Sequence, residues 1–190
     1  MHLAVGPLVR LFTRQLYLQI ETKNSWYEPM KLGDPARSEL LFWRENITKV
    51  NGFTFKPRPT TTKIIFTDAS AYAYGGFTCE RLDEVICSGK FTENEKLTSS
   101  TNRELLAVKY VLESFGNILS GESVQVNVNN FSASRILSVG SSKPHLQKIA
   151  IEIFQHCTNY DMRISPRWIP RSLNTKADEF SKINDRRLVY

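Results

Sequence analysis

The 190-residue chain is long enough for one ordinary domain with a short appendage, and at 41% hydrophobic and 11% aromatic residues it is too apolar to read as disordered. With 25 lysines and arginines against 19 acids the net charge is +6, which favours a polyanionic partner; nine basic and five acidic residues in 143–190 put +4 of that excess in the last quarter. The three cysteines, Cys79, Cys87 and Cys157, have neither metal-ligand spacing nor an even disulfide count, so reduced thiols in an intracellular protein, cytoplasmic or nuclear, are expected.

The opening residues lack a positively charged leader, and Arg10 and Arg14 interrupt their apolar run. Neither a secretion signal nor a membrane span is predicted, while an organelle-targeting helix stays open. Leu8, Leu11, Phe12, Leu16 and Ile20 recur at helical spacing, and Asp34-Pro35 is a start signal for a second helix over 36–46. Leu40, Leu41, Phe42 and Trp43 make that helix apolar over a wide face. Together with Trp26 they exceed what a solvated leader needs, so an incompletely buried face awaiting a partner is expected. Asn51-Gly52, Pro57, Pro59 and Thr60 to Thr62 punctuate a linker. The chain therefore divides into a helical segment over 1–60, a main domain over 63–183 and a tail over 184–190.

Lys63 to Asp68, Gly75 to Cys79 and Val85 to Ser88 are short β-rich runs separated by turn signals, which suggests three antiparallel strands. Thr101 and Glu104 have capping-box spacing, and Leu105, Val108, Leu112 and Phe115 continue a helix behind them. Val124, Val126 and Val128 alternate with polar residues as a half-buried strand does. His145 to Cys157 reads as a helix, Met162 to Trp168 as a last strand and Thr175 to Ile183 as a last helix. This order predicts an α/β fold: a mixed five-stranded sheet with flanking helices.

Asp68, Glu104, Asn129 and Asp178 each stand at a strand end or helix start, where a side chain can enter a shared cleft. Carboxylates converging from several elements suit hard divalent cations such as Mg2+. Each acid also has a plainer reading: Asp68 capping the turn at Ala69-Ser70, Glu104 completing a capping box, and Asp178 complementing a helix dipole.

Thr67-Asp68-Ala69-Ser70 with Gly75-Gly76, Asn102-Arg103-Glu104-Leu105, Val128-Asn129-Asn130, and Trp168-Ile169-Pro170-Arg171 with Asn174, Ala177, Asp178 and Ser181 resemble retroelement ribonuclease H in content and order. Within residues 1–60, Thr13-Arg14, Leu16-Tyr17, Ser25-Trp26, Glu39-Leu40, Phe42-Trp43 and Asn51-Gly52 are similar to the segment joining polymerase to ribonuclease H in DIRS-like elements. The resemblance implies a ribonuclease H-like fold. It further implies hydrolysis of the RNA strand of RNA:DNA hybrids, with Asp68, Glu104, Asn129 and Asp178 around two Mg2+ or Mn2+ ions. It also implies a polymerase part as neighbour and no membrane role.

Two departures from the family pattern follow. The third station, normally aspartate, is Asn129, so an inactive nucleic-acid-binding or structural remnant is the alternative. The loop before Asp178 carries Arg171-Ser172-Leu173 where many relatives place a histidine, and His145 and His156 read as ordinary helix residues. A resolvase- or integrase-like DNA nuclease fits the Asp178 motif less well. Ser70, Ser100, Asn102 and Asn130 are candidate contacts to a hybrid, whose duplex is recognised by shape and 2′-hydroxyls. Arg163, Arg167, Arg171 and Lys176 are candidate phosphate followers, and Trp168 is expected in the core.

Overall fold

The computed structural model describes residues 8–50, 60–79 and 84–182. Linker signals at Asn51-Gly52, Pro57 and Pro59, and the tail over 184–190, lie outside the described residues. The N-terminal segment forms α1 (Leu8–Leu11), α2 (Arg14–Glu21) and α3 (Asp34–Val50). Strands β1 (Lys63–Ala69), β2 (Ala73–Thr78), β3 (Ile86–Lys90), β4 (Ser123–Val128) and β5 (Arg163–Trp168) make one sheet in the order β3-β2-β1-β4-β5. The remaining helices are α4 (Glu93–Lys96), α5 (Ser100–Ser114), α6 (Phe131–Val139), α7 (Pro144–Asn159) and α8 (Thr175–Lys182), with a 3-10 turn over Arg171–Leu173 before α8.

The pairs β1–β2 and β2–β3 are antiparallel, whereas β1–β4 and β4–β5 are parallel and therefore need helical crossovers. This is the mixed α/β architecture expected of a ribonuclease H-like domain. The first turn is short because Ser70 closes it: its hydroxyl accepts from the Tyr72 and Ala73 amides at 3.2 and 2.9 Å.

Alternation along β2 assigns the two helical layers. A Cβ on Gly75 would lie 2.5 Å from the Ser181 amide of α8, and one on the next residue, Gly76, 2.5 Å from Val111 of α5. Successive strand residues face opposite ways, so α8 covers one face and α5 the other. Asp68 pairs directly with Gly75 and so shares the α8 face.

The apolar run from Leu8 to Ile20 is not one helix. It breaks at Phe12-Thr13, where the Phe12 carbonyl accepts the Trp43 indole at 2.7 Å. The break docks the segment: Val9, Leu11, Phe12 and Trp43 belong to the same core as Ile65, Leu105, Val126 and Ile153. The Gln147 amide of α7 also donates to the Leu11 carbonyl. The apolar face is buried in part: Trp43 is 7% exposed because its N–H found an acceptor at the helix break, while Trp26 is 90% exposed and Leu40 and Leu41 are 44% exposed.

The capping box expected at Thr101 and Glu104 is also corrected. Ser99 caps α5 by accepting from the Asn102 amide, and Thr101 lies inside the helix. A full capping box forms earlier, at Thr92 and Glu95 ahead of α4. Helix α6, which the sequence reading passed over, starts where Asn130 caps it and buries Ala133, Ile136 and Leu137.

Candidate active site

The parallel pairing of β1 with β4 sets Thr67 opposite Val128, so Asp68 and Asn129 leave neighbouring strands at the same end of the sheet. Their side chains meet: the Asn129 amide donates to Asp68 Oδ1 at 2.6 Å. The other oxygen, Oδ2, accepts the Ser181 hydroxyl at 2.8 Å from α8. Asp68 is 3% exposed, and burial pushes its carboxyl above the usual range, aided by the Asp178 charge and opposed by the two hydrogen bonds and by Arg171.

Glu104 enters from the opposite layer, on the second turn of α5. It is buried, and among the described residues its Oε2 atom has no hydrogen-bond partner. Burial first, and then the Asp68 and Asp178 charges, push its carboxyl up to about 9, against the pull of Arg103 and Arg171. Freed from any capping duty, this side chain is a buried acid that the described residues leave without an ion pair, Arg103 and Arg171 acting on it only through their charge.

Asp178 sits in the first turn of α8, close enough that its charge acts on both Asp68 and Glu104. Its own oxygens are taken: Arg171 Nη2 lies 2.8 Å from Oδ1, and the Lys182 ammonium bonds Oδ2. Burial opposes its ionisation, but these two cations outweigh it and hold the carboxyl below the usual range. The dipole-complementing reading of Asp178 is thus true of its position and incomplete for its contacts.

The donor set contains only hard oxygens, and the buried, unpartnered Glu104 oxygen lacks the positive charge that a divalent cation brings. In chemistry the residues fit such an ion. Among the described residues, however, no group of three or more His, Cys, Asp or Glu side chains converges closely enough to hold one, because Asp178 is turned to its own cations and Asn129 supplies an amide.

Comparison with known proteins bears on the same residues. A family model described as the RNase H-like domain found in reverse transcriptase matches residues 52–126, a stretch that includes Asp68 and Glu104. The enzymatic polyprotein of figwort mosaic virus (strain DxS) is 38% identical over 98 residues, which span 47% of this chain and 15% of the polyprotein. Among solved structures, RNase H1 from the halophilic archaeon Halobacterium salinarum NRC-1 is similar with a TM-score of 0.48 and 17% identity, over 62% of this chain and 92% of that one. Foamy viral protease-reverse transcriptase in complex with dsDNA is similar with a TM-score of 0.44 and 12% identity, over 83% of this chain and 33% of that one.

Around the acidic cluster, the candidate substrate contacts differ in exposure and in their hydrogen bonds. Ser100 is exposed at the start of α5, whereas Asn102 is buried. The Ser70 hydroxyl holds the β1–β2 turn, and Asn130 caps α6 by accepting from the Ala133 amide at 2.9 Å. Lys176 is paired with Glu84 at 2.5 Å and lies over the Phe77 ring, and Arg171 is paired with Asp178. Arg163 and Arg167 stand exposed along β5. Trp168 corrects its core assignment: it is 47% exposed, donates to the Asn129 carbonyl at 3.2 Å and meets the exposed Phe131 edge-on. It ends an edge strand, where it is covered only in part. His145 is exposed and His156 bonds the Leu112 carbonyl, both on α7.

Two residues that position the cluster went unassigned in the sequence reading, although both stand in its most specific motif. Asn174 is 1% exposed and donates to the Thr67 carbonyl at 2.9 Å, tying the start of α8 to β1. Ser181 is fully buried and orients Asp68. Their spacing from Asp178, four before and three after, was the available signal, since it places all three along one side of a helix.

Proposed function

We propose that this chain is the ribonuclease H-like domain, with part of the connecting segment, of a DIRS-like retroelement reverse transcriptase, and that it hydrolyses the RNA strand of RNA:DNA hybrids with divalent-metal help. The observation that carries this reading is the Glu104 carboxyl: it is buried, its Oε2 is unpartnered among the described residues, and it feels the Asp68 charge across the end of the sheet. A structural acid in that position would have a donor or a cation; a ligand waits for one.

Asp68, Glu104 and Asp178 would hold the ion, with the Asn129 carbonyl oxygen as a weaker fourth ligand. Once bound, Mg2+ or Mn2+ supplies Lewis-acid polarisation of the phosphate and a more acidic water. Ser181 keeps Asp68 aimed, Asn174 anchors α8 to β1, and exposed Ser100 and Arg167 would be available to contact a duplex backbone. The polymerase part of a longer protein would cover the exposed Trp26, Tyr27 and Leu41, and an intracellular site of action, cytoplasmic or nuclear, accords with the reduced cysteines.

A second reading has an observation of its own. The Asn129 amide, not a carboxylate, faces Asp68, which favours a remnant that binds nucleic acid without turnover. Titration of RNA:DNA hybrid, duplex DNA and single-stranded RNA at rising salt, with and without Mg2+, separates the readings. Salt-sensitive binding that favours hybrid, with slow Mg2+-dependent cleavage, supports the nuclease; binding without any cleavage supports the remnant; absence of hybrid binding removes both.

A further inference from the structure

The geometry around Asp178 leads to a property of the metal site that the nuclease reading does not require. Both Asp178 oxygens are already held by cations, Arg171 on Oδ1 at 2.8 Å and Lys182 on Oδ2. The two cations differ in their setting. Lys182 belongs to the same helix, one turn beyond Asp178. Arg171 reaches in from the 3-10 turn before α8, its side chain is 73% exposed, and its charge acts on Asp68 and Glu104 as well as on Asp178. A guanidinium on an exposed turn can swing into solvent without disturbing the core, so the pair is reversible.

We propose that Arg171 is a resident counter-cation of the acidic cluster: it competes with divalent ions for Asp178 and sets the metal concentration at which the site fills. With Arg171 in place the cluster's charge is partly neutralised and Asp178 Oδ1 is occupied, so an incoming ion meets a weaker field and must displace a hydrogen-bonded partner. The buried, unpartnered Oε2 of Glu104 is the second sign that the cluster takes a cation, independent of the acids' proximity. Arg171 is here a positioning residue for the metal ligand, and the inference rests on the nuclease reading only in taking Asp178 as a ligand.

Mn2+ alone is the probe, followed by the electron paramagnetic resonance of free ion, so that no substrate and no turnover enter. Arg171→Gln is expected to lower the Mn2+ dissociation constant by about tenfold or more, the scale of removing one like charge a few ångströms from the ion. Arg171→Lys, which keeps the charge, should stay within about threefold of the wild type. Adding Asp178→Asn to Arg171→Gln should abolish the gain. Unchanged or weaker Mn2+ binding by Arg171→Gln, in a protein whose circular dichroism and melting match the wild type, overturns the proposal. So does a gain that survives Asp178→Asn, or Mn2+ binding by neither protein. A wild type that binds Mn2+ but cleaves no hybrid would count against the nuclease reading and leave this competition intact.

Discussion

The Asn129 amide donates to Asp68 across the end of two parallel strands, at 2.6 Å. An aspartate at 129 has no proton to give at neutral pH, so the same backbone would set two carboxylates against each other. Asn129→Asp should therefore lower the stability of the metal-free protein by about 1–3 kcal/mol, the cost of a lost hydrogen bond to a charged group plus like-charge repulsion. Urea unfolding in EDTA and in Mg2+ checks this: the deficit should shrink once Mg2+ is present. A deficit that ignores Mg2+ would mean that the ion does not bind beside residue 129.

The buried Glu104 carboxyl makes stability fall as pH rises. Its folded-state value, about 9, lies above the ordinary 4.5, so between those values the folded protein holds a proton that the unfolded chain releases. Glu104→Gln removes that dependence. In metal-free buffer it should stabilise the protein by at least about 2 kcal/mol near pH 8 and by little near pH 4. Equal effects at both pH values would show that Glu104 is not titrating in this range.

Asp178 and Ser181 reach the cluster because α8 lies directly on Gly75, where an added Cβ would stand 2.5 Å from the Ser181 amide. That contact is with backbone, which cannot rotate away. Gly75→Ala should push α8 off β2, lowering stability by about 1–3 kcal/mol and weakening Mn2+ binding together. A variant that loses stability yet binds Mn2+ as before would detach α8 from the metal site.

Trp43 ties the N-terminal segment to the sheet's own core. Trp43→Ala should cost about 3–5 kcal/mol, and chemical unfolding should stay a single transition because the core is shared. Two separate transitions in the wild type would instead mean that the segment over 1–60 folds apart from the domain.

Much of this arrangement was legible from residues. β-branched runs and turn signals gave the strands, and Asp68, Glu104 and Asp178 stood near element ends that lie at the same end of the sheet. What escaped depends on which group finds which partner. The Thr101–Glu104 spacing matched a capping box, but Ser99 stood nearer the helix start and took the amide, leaving Glu104 to the cluster. The aromatic density of 1–60 suggested an open face, yet a helix break at Phe12 offered Trp43 an acceptor and pulled it inside. Trp168 alternates with apolar neighbours as a core residue does, but it ends an edge strand with one uncovered side. Side-chain pairing across long sequence separations, such as Lys176 with Glu84, leaves no local pattern to read.

In the proposed hybrid nuclease, Asn129 at the third station is what limits turnover. Mg2+-dependent cleavage of the RNA strand of an RNA:DNA hybrid is measured for the wild type beside Asn129→Asp, with hybrid affinity measured in parallel. Restoring the carboxylate should raise cleavage by about 10²-fold or more, a gain of at least about 2.7 kcal/mol in transition-state stabilisation, with affinity nearly unchanged. Equal affinity with no gain in cleavage, or no hybrid binding by either protein, would rule out a nuclease limited at residue 129.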